Sequence, residues 1–154
     1  MPSEANSLVS HFVTCARNHP DHPAFISGDI SLTYGAAAER TAAIAQGLAK
    51  RGISFGDRVA LLAENQIDLA LSYFAIHSIG AVAVMIDAKT PDNETRMLVA
   101  DCQAQFLITA KNNSGLGVPV VAFEELTSEV AKDLPEIRCS PDSLADLLYT
   151  TGTT

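Results

Sequence analysis

The amino-acid sequence predicts an α/β fold in which helices cover both faces of a doubly wound, mainly parallel sheet. Apolar residues alternate along the chain between the helical period and short runs rich in strand-forming residues. No internal repeat or low-complexity tract interrupts this alternation, and 47% of the 154 residues are hydrophobic. Because this apolar content is enough to bury a core, we expect residues 1–154 to form a single α/β domain.

The first predicted elements are an amphipathic helix and a hairpin. Residues from about Ser7 to Asn18 place Leu8, Phe12 and Cys15 along one stripe at helical spacing. Two short strand-like runs then flank Gly28-Asp29, a pair that tolerates the positive φ of a tight turn. The strands predicted on either side of this turn are Ala24–Ser27 and Ser31–Tyr34.

A second helix is predicted directly after the hairpin. Thr33 has the side chain of a good N-cap residue, and Lys50-Arg51-Gly52 combines the cations and the glycine that suit a helix C-terminus. The apolar side of this helix repeats at helical spacing through Ala37, Thr41, Ile44 and Leu48.

The middle of the chain alternates between predicted strands and helices. In order these are strand 58–62, helix 66–79, strand 82–86, a helix from 90 to about 101, and strand 105–109. Asn65 can cap the first helix and Gly80 can end it, while Pro91 suits the first turn of the second helix, where its missing N–H costs nothing.

The last third of the sequence is less regular. Residues 111–117 predict a polar loop, and 118–121 predict a short strand whose Pro119 suits the edge of a sheet. Residues 124–142 predict a connector with one short helix, and a final apolar run covers 144–149.

Charge and cysteine content exclude several classes of protein. The 10 basic residues against 18 acidic ones give a net charge of -8, and no basic run is present, so nucleic acid is not expected as a partner. Cys15, Cys102 and Cys139 are odd in number and far apart, which matches neither a disulfide framework nor a metal site. We therefore expect no bound metal and a cytoplasmic protein.

One uncharged stretch has about the length that spans a bilayer. Residues 69–86 carry no formal charge, yet Ser72, His77 and Ser78 lie inside the stretch and Gly80 divides it. A helix, a turn and a buried strand explain it better, so no membrane span is expected. The N-terminal residues also lack the basic and apolar regions of a signal peptide.

The closing residues have the composition of a phosphate-binding loop. Thr150, Thr151, Gly152, Thr153 and Thr154 follow an apolar run. Glycine lets backbone N–H groups converge on an anion, and each threonine adds a short hydroxyl donor. By itself, such a segment is also typical of a polar strand end with a turn.

Longer blocks of the sequence resemble a known family. The closing Tyr149-Thr150-Thr151-Gly152-Thr153-Thr154 resembles the first part of the signature Tyr-Thr-Ser-Gly-Thr-Thr-Gly-x-Pro-Lys-Gly of the acyl-adenylate-forming (ANL) superfamily. Leu32-Thr33-Tyr34 resembles its Leu-Thr-Tyr-x-Glu-Leu block, and Gly56-Asp57-Arg58-Val59 resembles its Gly-Asp-x-Val segment. Residues 80–87 resemble its Lys-Ala-Gly-x-x-x-x-Pro-Ile/Leu-Asp block. The superfamily includes acyl-CoA synthetases, AMP-dependent ligases, luciferases and nonribosomal adenylation domains.

The resemblance implies a two-step reaction. A carboxylate attacks the α-phosphate of ATP to give an acyl-adenylate and pyrophosphate, and a thiol then captures the acyl group. The leading expectation is an AMP-forming acyl-CoA ligase that uses ATP, Mg²⁺ and coenzyme A, with fatty acid metabolism as its setting. One alternative is an adenylation domain that loads a carrier-protein thiol, and another is a non-catalytic α/β binding or scaffold module.

The resemblance also assigns roles to residues. Thr150, Thr151, Gly152, Thr153 and Thr154 are the phosphate-loop positions, and no residue of the chain is assigned a catalytic role. The Gly-x-Pro-Lys-Gly half of the motif is not among the 154 residues. The isolated chain is therefore expected to be inactive, to hold no cofactor tightly, and to self-associate through surfaces that the remainder of the enzyme would cover.

Departures from the family pattern fall mainly on packing positions. Ala36 and Ala37 replace the usual Glu-Leu, Ile79 replaces an alanine, and Met85 stands where proline is common. Thr151 replaces the common serine and keeps a hydroxyl group.

Other residues that could carry chemistry have ordinary explanations. His19 and His22 flank prolines without further ligands at metal-binding spacing, and Cys102 has the character of a small, partly buried residue. Asp87 is interpreted as a turn or capping residue because no Gly-x-Gly-x-x-Gly precedes it, and His77 as a hydrogen-bonded, partly buried histidine.

Overall fold

The computed structural model describes residues 7–62, 64, 66–110, 115–128 and 142–149. In chain order the elements are α1 (Leu8–Asn18), β1 (Pro23–Ser27), β2 (Ile30–Thr33), α2 (Tyr34–Lys50), β3 (Arg58–Leu62), α3 (Gln66–Ser78), β4 (Val82–Met85), α4 (Asp92–Asp101), β5 (Phe106–Thr109), β6 (Val120–Val121), α5 (Phe123–Thr127) and β7 (Asp146–Leu148). The predicted elements are therefore present, with bounds shifted by a few residues.

The strands of the described ranges form two sheets. Five of them pair in the order β6-β5-β3-β4-β7, and each neighbouring pair is parallel. The hairpin of β1 and β2 is separate and antiparallel, with Gly28 at φ 59° in its turn. The predicted α/β class and the mainly parallel sheet are confirmed.

Both faces of the five-stranded sheet are buried, and the central strand shows how. Alternate side chains of β3 point to opposite faces, so Val59 and Leu61 lie in one core cluster while Ala60 and Leu62 lie in the other. The first cluster contains buried side chains from α1, α2, α3 and α5, and the second contains Val99 of α4. The connections that follow β3 and β4 therefore run over opposite faces, as in a doubly wound sheet.

The helix caps largely follow the sequence signals. The Ser7 hydroxyl accepts a hydrogen bond from the Ser10 N–H at 3.1 Å, and the Thr33 hydroxyl accepts one from the Ala36 N–H at 3.3 Å. Gly80, at φ 73°, follows α3 as expected. Pro91 was expected in the first turn of α4 but is its N-cap residue, one position earlier.

The stripe predicted for α1 is partly wrong. Leu8 is 57% exposed, whereas Val9 is buried together with Phe12. Phe12 stacks on Phe74 of α3 with ring centroids 4.4 Å apart, so α1 is rotated to place the aromatic ring between the helices. An amphipathic pattern identifies a helix, but the partner surface decides which neighbouring residue is covered.

The stretch 69–86 consists of helix, turn and strand, as predicted. Among the helices that the structure describes, none is both long enough and apolar enough to cross a membrane. Pro119 precedes β6, which is an edge strand of the five-stranded sheet, as expected. The expected cap Asn65, most of the 111–117 loop and most of the 124–142 connector lie outside the described residues.

Candidate functional site

The predicted phosphate-binding residues, Thr150, Thr151, Gly152, Thr153 and Thr154, lie outside the residues that the structure describes. Thr150 is bonded to Tyr149, which directly follows β7, so this segment starts where β7 ends. β7 is parallel to β4, and β4 is parallel to β3. The carboxyl end of β7, where the segment starts, therefore lies at the edge of the sheet that holds the carboxyl ends of these strands. Open parallel sheets bind their ligands at this edge.

The strand that leads to the segment is short. β7 pairs with β4 in the register Ala83–Asp146, Val84–Leu147 and Met85–Leu148. Leu147 packs against the cluster on the α4 face, whereas Leu148 is 70% exposed. Hydrophobic packing on the described elements therefore stabilises the middle of β7 more than its carboxyl end.

Tyr149 holds the carboxyl end of β7 against α4. Its hydroxyl donates a hydrogen bond to Oδ2 of Asp101 at 2.7 Å and lies 3.4 Å from the carbonyl oxygen of Leu98. Desolvation of the hydroxyl raises the pKa of Tyr149, and the hydrogen bond to Asp101 raises it further. The hydroxyl therefore stays protonated and keeps its role as a donor.

Asp146 holds the beginning of β7 against α3, on the opposite face. The Tyr73 hydroxyl donates to Oδ2 of Asp146 at 2.9 Å, and Nε2 of His77 lies 3.2 Å from Oδ1 of the same carboxylate. The rings of Tyr73 and His77 meet edge to face at 4.2 Å, as expected for side chains one helical turn apart. Burial, together with Asp146, raises the pKa of Tyr73 to about 12.

His77 was predicted to be partly buried and hydrogen-bonded rather than a catalytic base. Its side chain is 13% exposed and lies beside Asp146, which agrees with the first part of that prediction. Nε2 of His77 and Oδ1 of Asp146 are 3.2 Å apart, but their geometry is not that of a directed hydrogen bond. Neither atom forms a hydrogen bond to a described residue. Burial lowers the pKa of His77 despite the nearby carboxylate, so the imidazole is neutral at neutral pH.

Sequence reasoning missed the contact between α3 and β7. Tyr73 and His77 are four residues apart on a helix, which places them on one side, but 73 residues separate Tyr73 from Asp146. The available signal was the acidic Asp146 inside the otherwise apolar run 144–149, since a carboxylate in a strand needs a polar partner.

The remaining candidates have structural roles. Oδ1 of Asp87 accepts a hydrogen bond from the Lys89 N–H at 2.8 Å, which confirms the predicted turn. Cys102 is buried at the end of α4 as a free thiol. The rings of His19 and His22 stack at 5.1 Å. Within the described ranges, no three histidine, cysteine or acidic side chains are grouped closely enough to hold a metal ion.

The burial of His77 predicts that stability falls as the pH is lowered below about 6.5. The pKa of the folded state lies below that of the unfolded state, so between the two values the unfolded state binds the extra proton. Acidification therefore favours unfolding. When the pH is lowered from about 7.5 to about 5.5, the unfolding free energy measured by urea denaturation should fall less for His77→Gln than for the wild type.

The matched control is the exposed histidine His22. The His22→Gln variant should keep the pH dependence of the wild type. An unchanged pH dependence in His77→Gln would contradict the assigned role of His77.

The fold of the chain is similar to that of solved structures. The solved structure of the nonribosomal peptide synthetase FmoA3 with bound AMPPNP superposes with a TM-score of 0.88 at 24% identity over 98% of this chain and 17% of that chain. The N-terminal subdomain of Klebsiella oxytoca NpsA in complex with anthranilyl-AMSN superposes with a TM-score of 0.84 at 26% identity over 96% of this chain and 38% of that chain. The mainly parallel sheet with its helices is thus the fold of the N-terminal domain of adenylation enzymes.

Sequence comparison then identifies the family. The family described as "AMP-binding enzyme" matches residues 12–154, so the chain belongs to that family. It is 32% identical to PKS-NRPS hybrid synthetase acdB of Aspergillus candidus, over 93% of this chain and 6% of that protein. It is 30% identical to surfactin synthase subunit 1 of Bacillus subtilis (strain 168), over 96% of this chain and 4% of that protein. The chain therefore spans only a few per cent of the length of these relatives.

Proposed function

We propose that the chain is the N-terminal part of an adenylation domain that activates a carboxylic acid with ATP and passes the acyl group to a carrier-protein thiol. In the first step a carboxylate oxygen bonds to the α-phosphorus of ATP and pyrophosphate leaves. In the second step a thiol attacks the acyl carbon, its proton is lost, and AMP leaves as a thioester forms.

The match to the AMP-binding enzyme family over residues 12–154 is the observation that carries the proposal. The fold adds support, because the threonine- and glycine-containing segment starts at the carboxyl edge of a parallel sheet, where such folds bind ligands. Residues 1–154 are accordingly proposed as the N-terminal portion of an AMP-binding domain.

The phosphate-binding role is proposed for Thr150, Thr151, Gly152, Thr153 and Thr154. Backbone N–H groups that converge around a glycine form a concave site for an anion, and the threonine hydroxyls add donors. Donors fixed around the β- and γ-phosphates stabilise the charge that moves onto the departing pyrophosphate. Mg²⁺ bound together with ATP would neutralise part of the phosphate charge.

The thiol acceptor is where this proposal differs from the acyl-CoA ligase that the resemblance first favours. One relative named above is a PKS-NRPS hybrid synthetase, and FmoA3 is a nonribosomal peptide synthetase. The NpsA-ThdA structure from Klebsiella oxytoca is an artificially fused adenylation–PCP di-domain. That structure superposes with a TM-score of 0.82 at 24% identity over 92% of this chain and 28% of that chain. These likenesses favour a carrier protein over coenzyme A as the acceptor.

ATP–pyrophosphate exchange by the full-length protein tests the first step. Amino acids, aryl acids and fatty acids form the panel, and we expect exchange with at least one amino or aryl acid. Transfer of the activated acid to a phosphopantetheine-bearing carrier domain, compared with free coenzyme A, then tests the acceptor. Absence of exchange with every acid would overturn the adenylation proposal, whereas preferential transfer to coenzyme A would overturn only the carrier-protein acceptor.

A further inference from the structure

The strand that leads to the phosphate-binding segment is held by polar side chains on both of its faces. Asp146, the first residue of β7, accepts a hydrogen bond from Tyr73 of α3 at 2.9 Å. Tyr149, the residue after β7, donates to Asp101 of α4 at 2.7 Å. Successive side chains of a strand alternate between faces, so residues three apart point to opposite faces.

Each contact joins a phenol hydroxyl to a carboxylate. Hydrogen bonds to an ionised group are shorter and stronger than those between neutral groups, and they depend on direction. A contact to only one helix would hold β7, beyond its pairing with β4, from one face alone. Contacts to α3 and α4 together fix its position between the two layers, at both ends of a strand that is only three residues long.

Other contacts leave the carboxyl end of β7 less constrained. Leu148 is 70% exposed, so hydrophobic packing on the described elements adds little at this position. β4 is the one strand that pairs with β7 among the described ranges. The Tyr149 hydroxyl is therefore a specific side-chain contact of β7 at the point where the phosphate-binding segment begins.

We infer that Tyr149 and Asp146 are positioning residues for ATP binding, which hold β7 between α4 and α3 and so fix where the phosphate-binding segment begins. The inference rests on the proposed function of residues 150–154. Neither side chain needs to touch the nucleotide, because a displacement of about 1 Å in a group that orients phosphate donors is enough to weaken the interaction.

The test uses the full-length protein with the variants Tyr149→Phe and Tyr73→Phe, which remove the hydroxyl donors to Asp101 and Asp146. Each variant removes a hydrogen-bonding group while keeping the shape of the side chain. For Tyr149→Phe we expect the Kd for MgATP, measured by titration calorimetry, to rise about ten-fold. In the exchange assay the KM for ATP should rise by a similar factor while the KM for the carboxylic acid stays within about two-fold.

The matched control is Tyr34→Phe. Tyr34 is a partly buried tyrosine whose ring centroid lies 6.2 Å from that of Phe12, and it begins α2, away from β7. Removing the Tyr34 hydroxyl should leave the Kd for MgATP unchanged. Combining Tyr149→Phe with Asp101→Asn should weaken ATP binding no more than Tyr149→Phe alone, because Tyr149→Phe already removes the hydrogen bond that Asp101 accepts.

The outcomes separate this inference from the proposed function. If the wild type binds MgATP without exchange activity, and Tyr149→Phe weakens binding, the inference stands and the adenylation proposal fails. If exchange occurs but the Kd for MgATP differs by less than about two-fold among wild type, Tyr149→Phe and Tyr73→Phe, the inference is overturned and the proposed function stands. A wild type that does not bind MgATP overturns both.

Discussion

Replacing Gly152 with valine in the full-length protein is expected to lower the rate of ATP–pyrophosphate exchange about a hundred-fold. In the proposed phosphate-binding segment, glycine allows the backbone to approach the anion and to adopt a conformation that branched residues resist. Valine would turn N–H donors away from the phosphates, and loss of one such donor costs two to three orders of magnitude in other enzymes. The exchange rate is measured at saturating ATP.

The control for Gly152→Val is Thr151→Ser, which introduces the residue that is common in the family signature and keeps the hydroxyl. Its exchange rate should stay within about two-fold of the wild type. Thermal melting of both variants shows whether the fold is intact. A Gly152→Val protein that melts like the wild type and exchanges at a similar rate would contradict the phosphate-binding role of residues 150–154.

The Leu61→Ala variant is expected to lose about 2–5 kcal/mol of unfolding free energy. Leu61 is fully buried in β3, the central strand of the five-stranded sheet, where it pairs with Met85 on one side and Ile108 on the other. Truncation removes apolar contacts and leaves a cavity, because the surrounding strands and helices cannot move in to fill it. Urea denaturation followed by circular dichroism measures the change.

The matched control is Leu8→Ala, because Leu8 is 57% exposed in α1. Removing a side chain that already contacts solvent should change the unfolding free energy by no more than about 0.5 kcal/mol. Equal losses in Leu61→Ala and Leu8→Ala would contradict the assignment of β3 to the core.

Local patterns in the sequence were sufficient for most of the fold. The bounds of β3 agree with the prediction at Arg58 and Leu62, and Thr33 caps α2 as expected. Both signals depend on neighbouring residues, namely a short apolar run and a hydroxyl before a helix. The α1 stripe was partly wrong because the orientation of a helix depends on its partner surface, here the aromatic contact between Phe12 and Phe74.

Contacts between distant parts of the chain could not be predicted. The pairing of β7 with β4, and the approach of Tyr73 to Asp146 across 73 residues, depend on the order of strands in the sheet. Apolar periodicity specifies which face of an element is buried, but it carries no information about which element covers it. The positioning role inferred for β7 therefore became visible only from the structure.

The resemblance identified the family but favoured coenzyme A as the acceptor. The blocks around Leu32, Gly56 and Gly80 are shared by acyl-CoA ligases and by carrier-loading domains, so they could not separate the two. The likeness to peptide synthetases shifts the proposal to a carrier-protein thiol.

The most direct test of the account is a crystal structure of the full-length protein with Mg²⁺ and a non-hydrolysable ATP analogue. We predict that backbone N–H groups of residues 151–154 lie about 3 Å from oxygens of the β- and γ-phosphates, at the carboxyl end of β7. Phosphates bound elsewhere on the domain, with these N–H groups turned away from them, would contradict the account.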